Sequence, residues 1–196
     1  MTELPPKLRV HKPAAVRRQE IIDAAAVEFA ENGLAGTRLE AVAARAGVSH
    51  PRIVQIFGSK RQLFLDVVTW VFDRVTEAFI DSPGVQQEQS EPGLVALGDA
   101  YRRLLQRDRT IALVMLHAYA AAGDVVVRQQ VAARYLALQH KVTDLTGADE
   151  MGVRTFFATG LLVTVSTALA LPDRRTDAQW GSWLLELVTP ASAGRS

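Results

Sequence analysis

The sequence predicts an all-α protein in which a three-helix N-terminal unit precedes a larger helical unit. Apolar residues recur at three- and four-residue spacing in each strong segment of the 196-residue chain, which is the periodicity of amphipathic helices. Glycine, proline and capping residues separate these segments, and no stretch alternates apolar and polar residues as a half-buried strand does. A protein built from helices alone is therefore expected.

The first helix is predicted over residues 15–31 because Ile22, Ala26 and Phe29 form an apolar stripe that charged residues interrupt at regular intervals. Asn32-Gly33 is expected to end it. A second, short helix is predicted to begin at Thr37 and to end near residue 46. Glu40 follows Thr37 by three residues, which is the spacing of a capping box.

The third and fourth helices are predicted from their caps. Ser49 is the expected N-cap of the third, Pro51 falls in its first turn, where a missing N–H is harmless, and Gly58 ends it. Ser59 and Gln62 form a second capping box, and the apolar stripe that follows extends the fourth helix to about residue 80.

Residues 81–93 are rich in proline, glycine and glutamine, so an exposed loop is expected there. Beyond it, helices are predicted at about residues 94–107, 109–122, 124–146, 149–171 and 175–189. Residues 155–172 contain no charge, and their 18 residues approach the length that spans a bilayer. Because this stretch includes four threonines and a serine, it favours a buried helix over a membrane span.

The composition excludes several classes of protein. Hydrophobic residues make up 48% and charged residues 22% of the chain, as in ordinary soluble proteins. The absence of cysteine removes disulfide frameworks and thiol chemistry, and no export signal is recognised, so a cytoplasmic location is expected. The four histidines lack metal-ligand spacing, and no phosphate loop or nucleophile elbow occurs. We therefore expect no catalytic residue, no metal and no cofactor.

The net charge of +1 is unevenly distributed. Residues 1–60 hold nine Lys and Arg against six Asp and Glu, a balance of +3, which leaves −2 for residues 61–196. Across the first eighteen residues only Glu3 opposes the basic side chains Lys7, Arg9, Lys12, Arg17 and Arg18. Such an arm is suited to neutralising phosphates, although charge alone is equally compatible with a solvated tail.

The second and third helices have the pattern of a helix-turn-helix. Their inward positions are apolar, Ala43 is small where the helices would cross, and Gly47 can adopt the positive φ of a tight turn. The outer face of the third helix then displays His50, Arg52 and Gln55, with Ser49 at its start. These groups are suited to hydrogen bonding with base edges in a major groove.

Several fixed motifs in order resemble the TetR family of transcriptional regulators. They are the run RRQEIIDAAAVEFAENG at residues 17–33, Thr37, the run AVAARAGVS at residues 41–49, the run FGSK at residues 57–60, and Leu63-Phe64. The resemblance covers about residues 15–68. It implies an N-terminal helix-turn-helix DNA-binding domain, residues 1–60 with a basic arm over residues 1–14, and a C-terminal ligand-binding and dimerisation domain, residues 61–196.

The resemblance also implies roles for individual residues. Thr37 and Lys60, each at the start of a helix, would contact phosphates, where free N–H groups favour an anion. The expected DNA-binding residues are Arg17, Arg18, Thr37, Ser49, His50, Pro51, Arg52, Gln55 and Lys60. Arg52 is the best candidate for reading a guanine, because a guanidinium can pair with O6 and N7 together.

Two positions depart from the family pattern, and two assignments have alternatives. Val54 stands where many relatives have a phosphate-binding tyrosine, and Pro51 where they often have glycine or threonine. The tyrosine contact is therefore absent. Lys60 is alternatively a solvated charge, and Gln55 a surface residue without a base partner.

The C-terminal domain resembles one branch of the family at Tyr119-Ala120, Gly123-Asp124, Phe156-Phe157 and residues 160–162. The last two helices would pair with those of a second subunit. The expected interface residues are Phe156, Gly160, Val163, Thr167, Trp180, Trp183, Leu184 and Leu187, with intramolecular core as the alternative for the aromatic ones. A two-turn recognition helix makes few contacts, which independently favours a homodimer reading two half-sites.

A ligand cavity is expected among the middle helices, where Trp70, Tyr101, Met115, His117 and Tyr119 supply large or polar groups, unless they are plain core. The sequence therefore predicts a repressor that binds a palindromic double-stranded operator as a homodimer and is released by a small, largely apolar effector. An enzyme is one rival interpretation. The other keeps the fold but changes the role, to an architectural or activating DNA binder or to a helical interaction module whose ligand site is vestigial.

Overall fold

The computed structural model describes residues 13–83 and 90–171, and these residues contain helices and no strand. The helices are α1 (Ala14–Gly36), α2 (Leu39–Ala46), α3 (His50–Phe57), α4 (Lys60–Ile80), α5 (Ser90–Arg107), α6 (Arg109–Ala120), α7 (Val125–Thr146) and α8 (Glu150–Ala168), with a 3-10 turn at Ala121–Gly123. The predicted all-α class is confirmed. The predicted helix at residues 175–189 lies outside the described residues.

The turns of the N-terminal unit follow the expected glycines. Gly33 interrupts α1 with a non-helical φ of 65° and ψ of −177°, so the regular helix ends at Asn32 and a single further turn reaches Gly36. Gly47 links α2 to α3 in the left-handed conformation, with φ 63° and ψ 35°. The Ser59 side chain accepts a hydrogen bond from the Gln62 amide at 3.1 Å, which confirms the N-cap of α4.

Two local predictions are wrong. The capping box at Thr37 does not form, because Arg38 is the N-cap of α2 and makes no side-chain capping bond. The Thr37 hydroxyl instead bonds to carbonyl oxygens of α1. The loop expected to reach Gly93 is also too long, since α5 already begins at Ser90 and Pro92 occupies its first turn, where no N–H is needed. Gly93 itself is buried, and a Cβ at this position would lie 3.1 Å from Thr146 Cγ2.

The uncharged segment forms a helix as predicted, but its expected burial is wrong. Of an 18-residue window in α8, 22% is buried, and α8 is the one helix of the described residues that meets the length and hydropathy of a membrane span. The fully buried helix of a soluble core would be covered on most sides. Here Met151, Leu161 and Leu169 are 64%, 50% and 60% exposed.

One continuous core joins the N-terminal unit to the rest of the described chain. Ile21, Ala25 and Phe29 of α1 are completely buried, and α1 packs mainly against α6 and α4. The rings of Phe29 and Phe64 meet edge to face with centroids 5.0 Å apart. The helix-turn-helix is therefore carried on the same packed scaffold as α6.

Candidate DNA interface and ligand cavity

The third helix presents one apolar and one exposed side. Ile53 and Phe57 are buried, at 1% and 5% exposure, and attach α3 to α2, α1 and α4. The opposite side contains the exposed residues Ser49, Pro51, Arg52, Val54 and Gln55, with His50 half-buried at its edge. The five candidate residues from Ser49 to Gln55 therefore share one solvent-facing surface. Val54, at 41% exposure, adds an apolar group to this surface.

The Arg52 guanidinium is held in place by its neighbour on the helix. Its Nη1 donates to Gln55 Oε1 at 2.7 Å, an i,i+3 contact on the exposed side of α3. A guanidinium has five N–H donors, so the remaining ones stay available for the paired acceptors of a guanine edge. Sequence reasoning placed both residues on this face but did not predict that they bond to each other.

Two further polar groups lie at the start of α3. His50 Nδ1 is 3.2 Å from Glu40 Oε1 of α2; the His50 side chain is half-buried and that of Glu40 is exposed. The Ser49 side chain does not cap its helix, and its hydroxyl makes no hydrogen bond with the residues that the structure describes. The Ser49 hydroxyl is consequently available to a phosphate or a base.

Thr37 and Lys60 meet each other at the end of α1. Thr37 is buried, and its hydroxyl lies 3.1 Å from the Glu28 carbonyl and 2.7 Å from the Gly33 carbonyl. Lys60 Nζ donates to the carbonyl oxygens of Ala35 at 3.1 Å and Thr37 at 3.0 Å. One ammonium N–H of Lys60 is left over for a phosphate. The Thr37 hydroxyl, by contrast, is already occupied within the protein.

The two arginines at the start of α1 have different surroundings. Arg18 Nη2 is 2.7 Å from Asp66 Oδ2, and its guanidinium lies 4.9 Å from the centre of the Phe57 ring, so it ties α1 to α4 and α3. Arg17 has no ion-pair partner among residues 13–83 and 90–171. The basic residues Lys7, Arg9 and Lys12 of the arm lie outside the described residues.

Sequence reasoning missed two contacts that fix the unit. Arg45 Nε donates to the mostly buried Glu28 carboxylate at 2.8 Å, which joins α2 to α1 and raises the pKa of Arg45. A Cβ at Gly33 would come within 2.8 Å of His117 Nδ1 on α6. No local pattern signals either contact, because the partners are far apart in sequence.

A cavity of about 410 Å³ lies between α4, α5, α6, α7 and α8, within the size range of small-molecule sites. Tyr101, Met115 and Tyr119 line it, as the sequence suggested, whereas Trp70 and His117 do not. His117 instead faces Gly33. The described residues around the cavity include a chain of touching aromatic rings, Tyr119, Tyr135, Phe157, Phe156, Phe79 and Tyr101.

The buried Tyr101 hydroxyl of the cavity has hydrogen-bond partners within the protein, Thr164 Oγ1 and, at 3.4 Å, Met115 Sδ. The Tyr101 hydroxyl is 2.6 Å from Thr164 Oγ1, which itself donates to the Gly160 carbonyl at 2.8 Å. With the threonine proton directed to Gly160, Tyr101 donates its own proton to Thr164. Burial raises the pKa of Tyr101 to about 12 and raises the pKa of Tyr119 as well, so both phenols are neutral at physiological pH.

The expected interface residues of α8 are divided between two environments. Phe156 and Gly160 line the cavity, and Val163 packs against the core. The carbonyl of Thr167 accepts a bond from Arg109 Nε at 3.3 Å. Leu161 also lines the cavity although it is half exposed, and Met151 and the C-cap residue Leu169 are exposed at the two ends of α8. The other four expected interface residues, Trp180, Trp183, Leu184 and Leu187, lie outside the described residues.

Among the residues that the structure describes, no cluster of histidine and carboxylate side chains could hold a metal ion.

Comparison with known proteins gives consistent matches. Residues 21–67, which run from α1 into α4, match the family model "Bacterial regulatory proteins, tetR family". The HTH-type transcriptional dual regulator CecR of Shigella flexneri is 27% identical over 163 residues, covering 74% of this chain and 72% of that protein.

Solved structures share the fold. The transcriptional regulator FadR from Bacillus subtilis, in complex with stearoyl-CoA, is 20% identical with a TM-score of 0.71, over 88% of this chain and 98% of that one. A TetR-like transcriptional regulator from Rhodococcus sp. RHA1 is 22% identical with a TM-score of 0.69, over 91% and 96%. The multidrug binding protein EbrR, complexed with imidazole, is 22% identical with a TM-score of 0.64, over 97% and 100%. Residues 21–67 therefore match the DNA-binding segment of the TetR family of bacterial regulatory proteins, and the described chain shares the fold of TetR-like regulators.

Proposed function

We propose that this protein is a cytoplasmic repressor of the TetR family that binds a palindromic operator as a homodimer and is released by a small, largely apolar molecule. Residues 1–60 form the DNA-binding domain in this proposal, and residues 61–196 bind the effector and the second subunit. As a member of a family of DNA-binding regulators, the protein acts by binding and not by catalysis.

The observation that carries the proposal is the exposed side of α3. Arg52 is extended along this side by its 2.7 Å bond to Gln55, and no acidic residue occurs in α3. Pro51 and Val54 add short side chains to this surface, and a major groove admits an α-helix. Lys60 keeps one N–H group, and Arg17 has no ion-pair partner among the described residues, so phosphates can use both.

The homodimer is supported by the shape of α3 and by the exposed apolar residues of α8. Two helical turns contact few base pairs, so two copies spaced by about 34–36 Å, one turn of DNA, give the specificity that one lacks. Met151, Leu161 and Leu169 are exposed apolar side chains on α8 and at its end, and burying such side chains favours association. A second subunit that packs against α8 would lie close to the cavity of the first, because α8 also contributes to the cavity wall.

The chain contains no cysteine, which gives a clean test of this arrangement. Leu161→Cys would be joined to its mate by a short thiol-reactive crosslinker if α8 faces the partner. Leu136→Cys on α7, equally exposed at 53%, is the matched control and should stay monomeric on a denaturing gel. A crosslink at residue 136 with none at residue 161 would place the interface elsewhere.

The effector site is the 410 Å³ cavity. Two proteins of this fold were solved with small molecules, stearoyl-CoA in one and imidazole in the other. Helix α6 contributes Met115 and Tyr119 to the cavity, and between them His117 contacts Gly33 at the end of α1. A ligand that displaces α6 would therefore move the helix on which the DNA-binding unit is mounted.

The test begins with selection of duplexes from a random library, followed by nuclease protection on the best sequence. The expected result is a short inverted repeat protected by a dimer, and loss of protection when an apolar compound fills the cavity. Weakening the affinity tenfold requires the ligand to prefer the released shape by about 1.4 kcal/mol. An architectural binder would instead accept many sequences and lose affinity steeply with salt. A reporter gene placed behind the operator separates repression from activation.

A further inference from the structure

Among the described residues that line the cavity, Arg128 is the one that carries a charge. It lies in the first turn and a half of α7, close to the N-cap Asp124. The rest of the wall is apolar or aromatic apart from a few hydroxyl groups. A ligand that is apolar throughout would gain nothing from a positive charge at the edge of the cavity.

The Arg128 guanidinium is not neutralised inside the protein. Its Nη1 donates to the Ala122 carbonyl at 3.2 Å, and no carboxylate pairs with it in the part of the chain that the structure describes. This one bond orients the guanidinium at the cavity edge and leaves its other N–H donors available. An unpaired guanidinium beside apolar walls favours a ligand that brings an anion.

The nearest carboxylate on the same helix start is committed elsewhere. Asp124 accepts bonds from the amides of Val126 and Val127 and lies 3.2 Å from Arg61 Nη1. These bonds lower the pKa of Asp124, so it stays ionised but is paired with Arg61. It therefore does little to cancel the charge that Arg128 offers to the cavity.

The remaining polar groups agree with an anionic oxygen group near Arg128. Tyr119 and Tyr135 line the cavity, and their hydroxyls make no hydrogen bond with the residues described, so both can donate to an acceptor. The aromatic rings could instead attract a cation, but no described carboxylate in the wall would neutralise it and Arg128 would repel it.

We propose that the effector is an amphiphile with an elongated apolar body and a single anionic head, a carboxylate or a phosphate, that pairs with Arg128. The body lies along the chain of aromatic rings from Tyr119 to Tyr101. This inference rests on the proposed function, because it names the chemical class of the molecule that fills the regulator's cavity.

The test compares four ligands that share a ten-carbon chain: decanoate, decyl phosphate, decanol and decyltrimethylammonium. Dissociation constants are measured by titration calorimetry on the full chain, and the shift of the unfolding temperature gives an independent readout. We expect at least one of the two anions to bind about tenfold more tightly than decanol. The cation should bind more weakly than that anion and more weakly than decanol. The ratio of decanoate to decyl phosphate affinity distinguishes the two head groups.

The variant Arg128→Gln removes the charge and keeps much of the side chain. It should lose about tenfold in affinity for the preferred anion and none for decanol. Arg134→Gln is the matched control, because Arg134 is on the same helix but pairs with Asp73 at 3.1 Å and is absent from the cavity wall. Unchanged unfolding temperatures without ligand verify that both variants fold.

Three results would overturn the inference: equal binding of the anions and decanol to the unaltered protein, unchanged anion affinity in Arg128→Gln, or preference for the cation. Failure of all four ligands to bind, with operator binding intact, also rejects this ligand class but leaves the DNA-binding part of the proposed function standing. Anion binding that depends on Arg128, in a protein that recognises no duplex, would support the ligand class and reject the DNA-binding part of the proposed function.

Discussion

Replacing Gly33 by alanine should destabilise the junction between α1 and α6 in two separable ways. Gly33 has a φ of 65° and a ψ of −177°, a region of backbone conformation that is essentially restricted to glycine and costs other residues on the order of 1–3 kcal/mol. The new methyl group would also lie 2.8 Å from Nδ1 and 3.2 Å from Cε1 of His117. Overpacking of this kind typically costs a further 1–3 kcal/mol.

The steric clash with His117 can be relieved more easily than the backbone strain at residue 33. The imidazole of His117 can rotate about its side-chain bonds and reduce the clash, whereas no side-chain movement changes the sign of φ at residue 33. We therefore expect Gly33→Ala to lower the free energy of unfolding by about 2–4 kcal/mol. For a protein of this size, that corresponds to a fall in Tm of roughly 4–16 °C.

A double-mutant cycle measured by urea unfolding separates the two contributions. His117→Ala in the Gly33→Ala background should restore the stability lost to the clash but not the stability lost to backbone strain. The expected coupling energy is about 1 kcal/mol or more. The single variant His117→Ala provides the reference. A loss below about 0.5 kcal/mol for Gly33→Ala, or a double variant no more stable than Gly33→Ala alone, would refute the reasoning.

Three further predictions concern DNA recognition and the cavity. Arg52→Ala should lose about 1–3 kcal/mol of discrimination at one base pair of each half-site, measured by competition between operator variants; a uniform loss on all duplexes would make Arg52 a phosphate contact only. We expect Val54 to pack against the methyl group of one operator thymine, so replacing that thymine by deoxyuridine should weaken binding of the unaltered protein by about 0.8 kcal/mol. Binding of Val54→Ala should not change with this replacement, and equal sensitivity of both proteins would contradict the contact. Because burial raises the pKa of Tyr101 to about 12 while an unfolded tyrosine ionises near 10, the Tyr101 contribution to stability should be constant below about pH 10 and fall by about 2–3 kcal/mol toward pH 12. Tyr119, whose pKa burial also raises, should add to the fall in the same direction. Tyr101→Phe should reduce that fall in urea-unfolding measurements at several pH values, and an unaltered pH profile in the variant would show that Tyr101 does not cause it.

Helix positions were predictable because their signals are local. Ser59 caps α4 through the Gln62 amide, and Gly47 adopts the positive φ that its turn requires; both depend on residues within a few positions. Thr37 had the same local signal, yet its hydroxyl bonds to α1 carbonyls. The competing acceptors were brought to it by tertiary packing, which the spacing of Thr37 and Glu40 does not encode.

The candidate sites show the same division. The exposed side of α3 followed from helical periodicity, and so did the placement of Met115 and Tyr119, four residues apart, on one side of α6. His117 lies between them in sequence and therefore points away, toward Gly33. The position of Arg128 at the cavity edge depends on how α7 is oriented by its neighbours, and nothing in the surrounding residues distinguishes it from other surface arginines.

Gly33 and His117 also limit how this protein can be recombined with its relatives. A chimaera that joins residues 1–61 to a foreign sensor would place Gly33 against whatever side chain the new α6 carries, and Arg61 opposite a residue other than Asp124, its 3.2 Å partner here. Successful exchange of operator specificity between relatives should therefore require carrying the residues at 117 and 124 along with the DNA-binding segment. A biosensor built without them would bind its operator but respond poorly to its inducer.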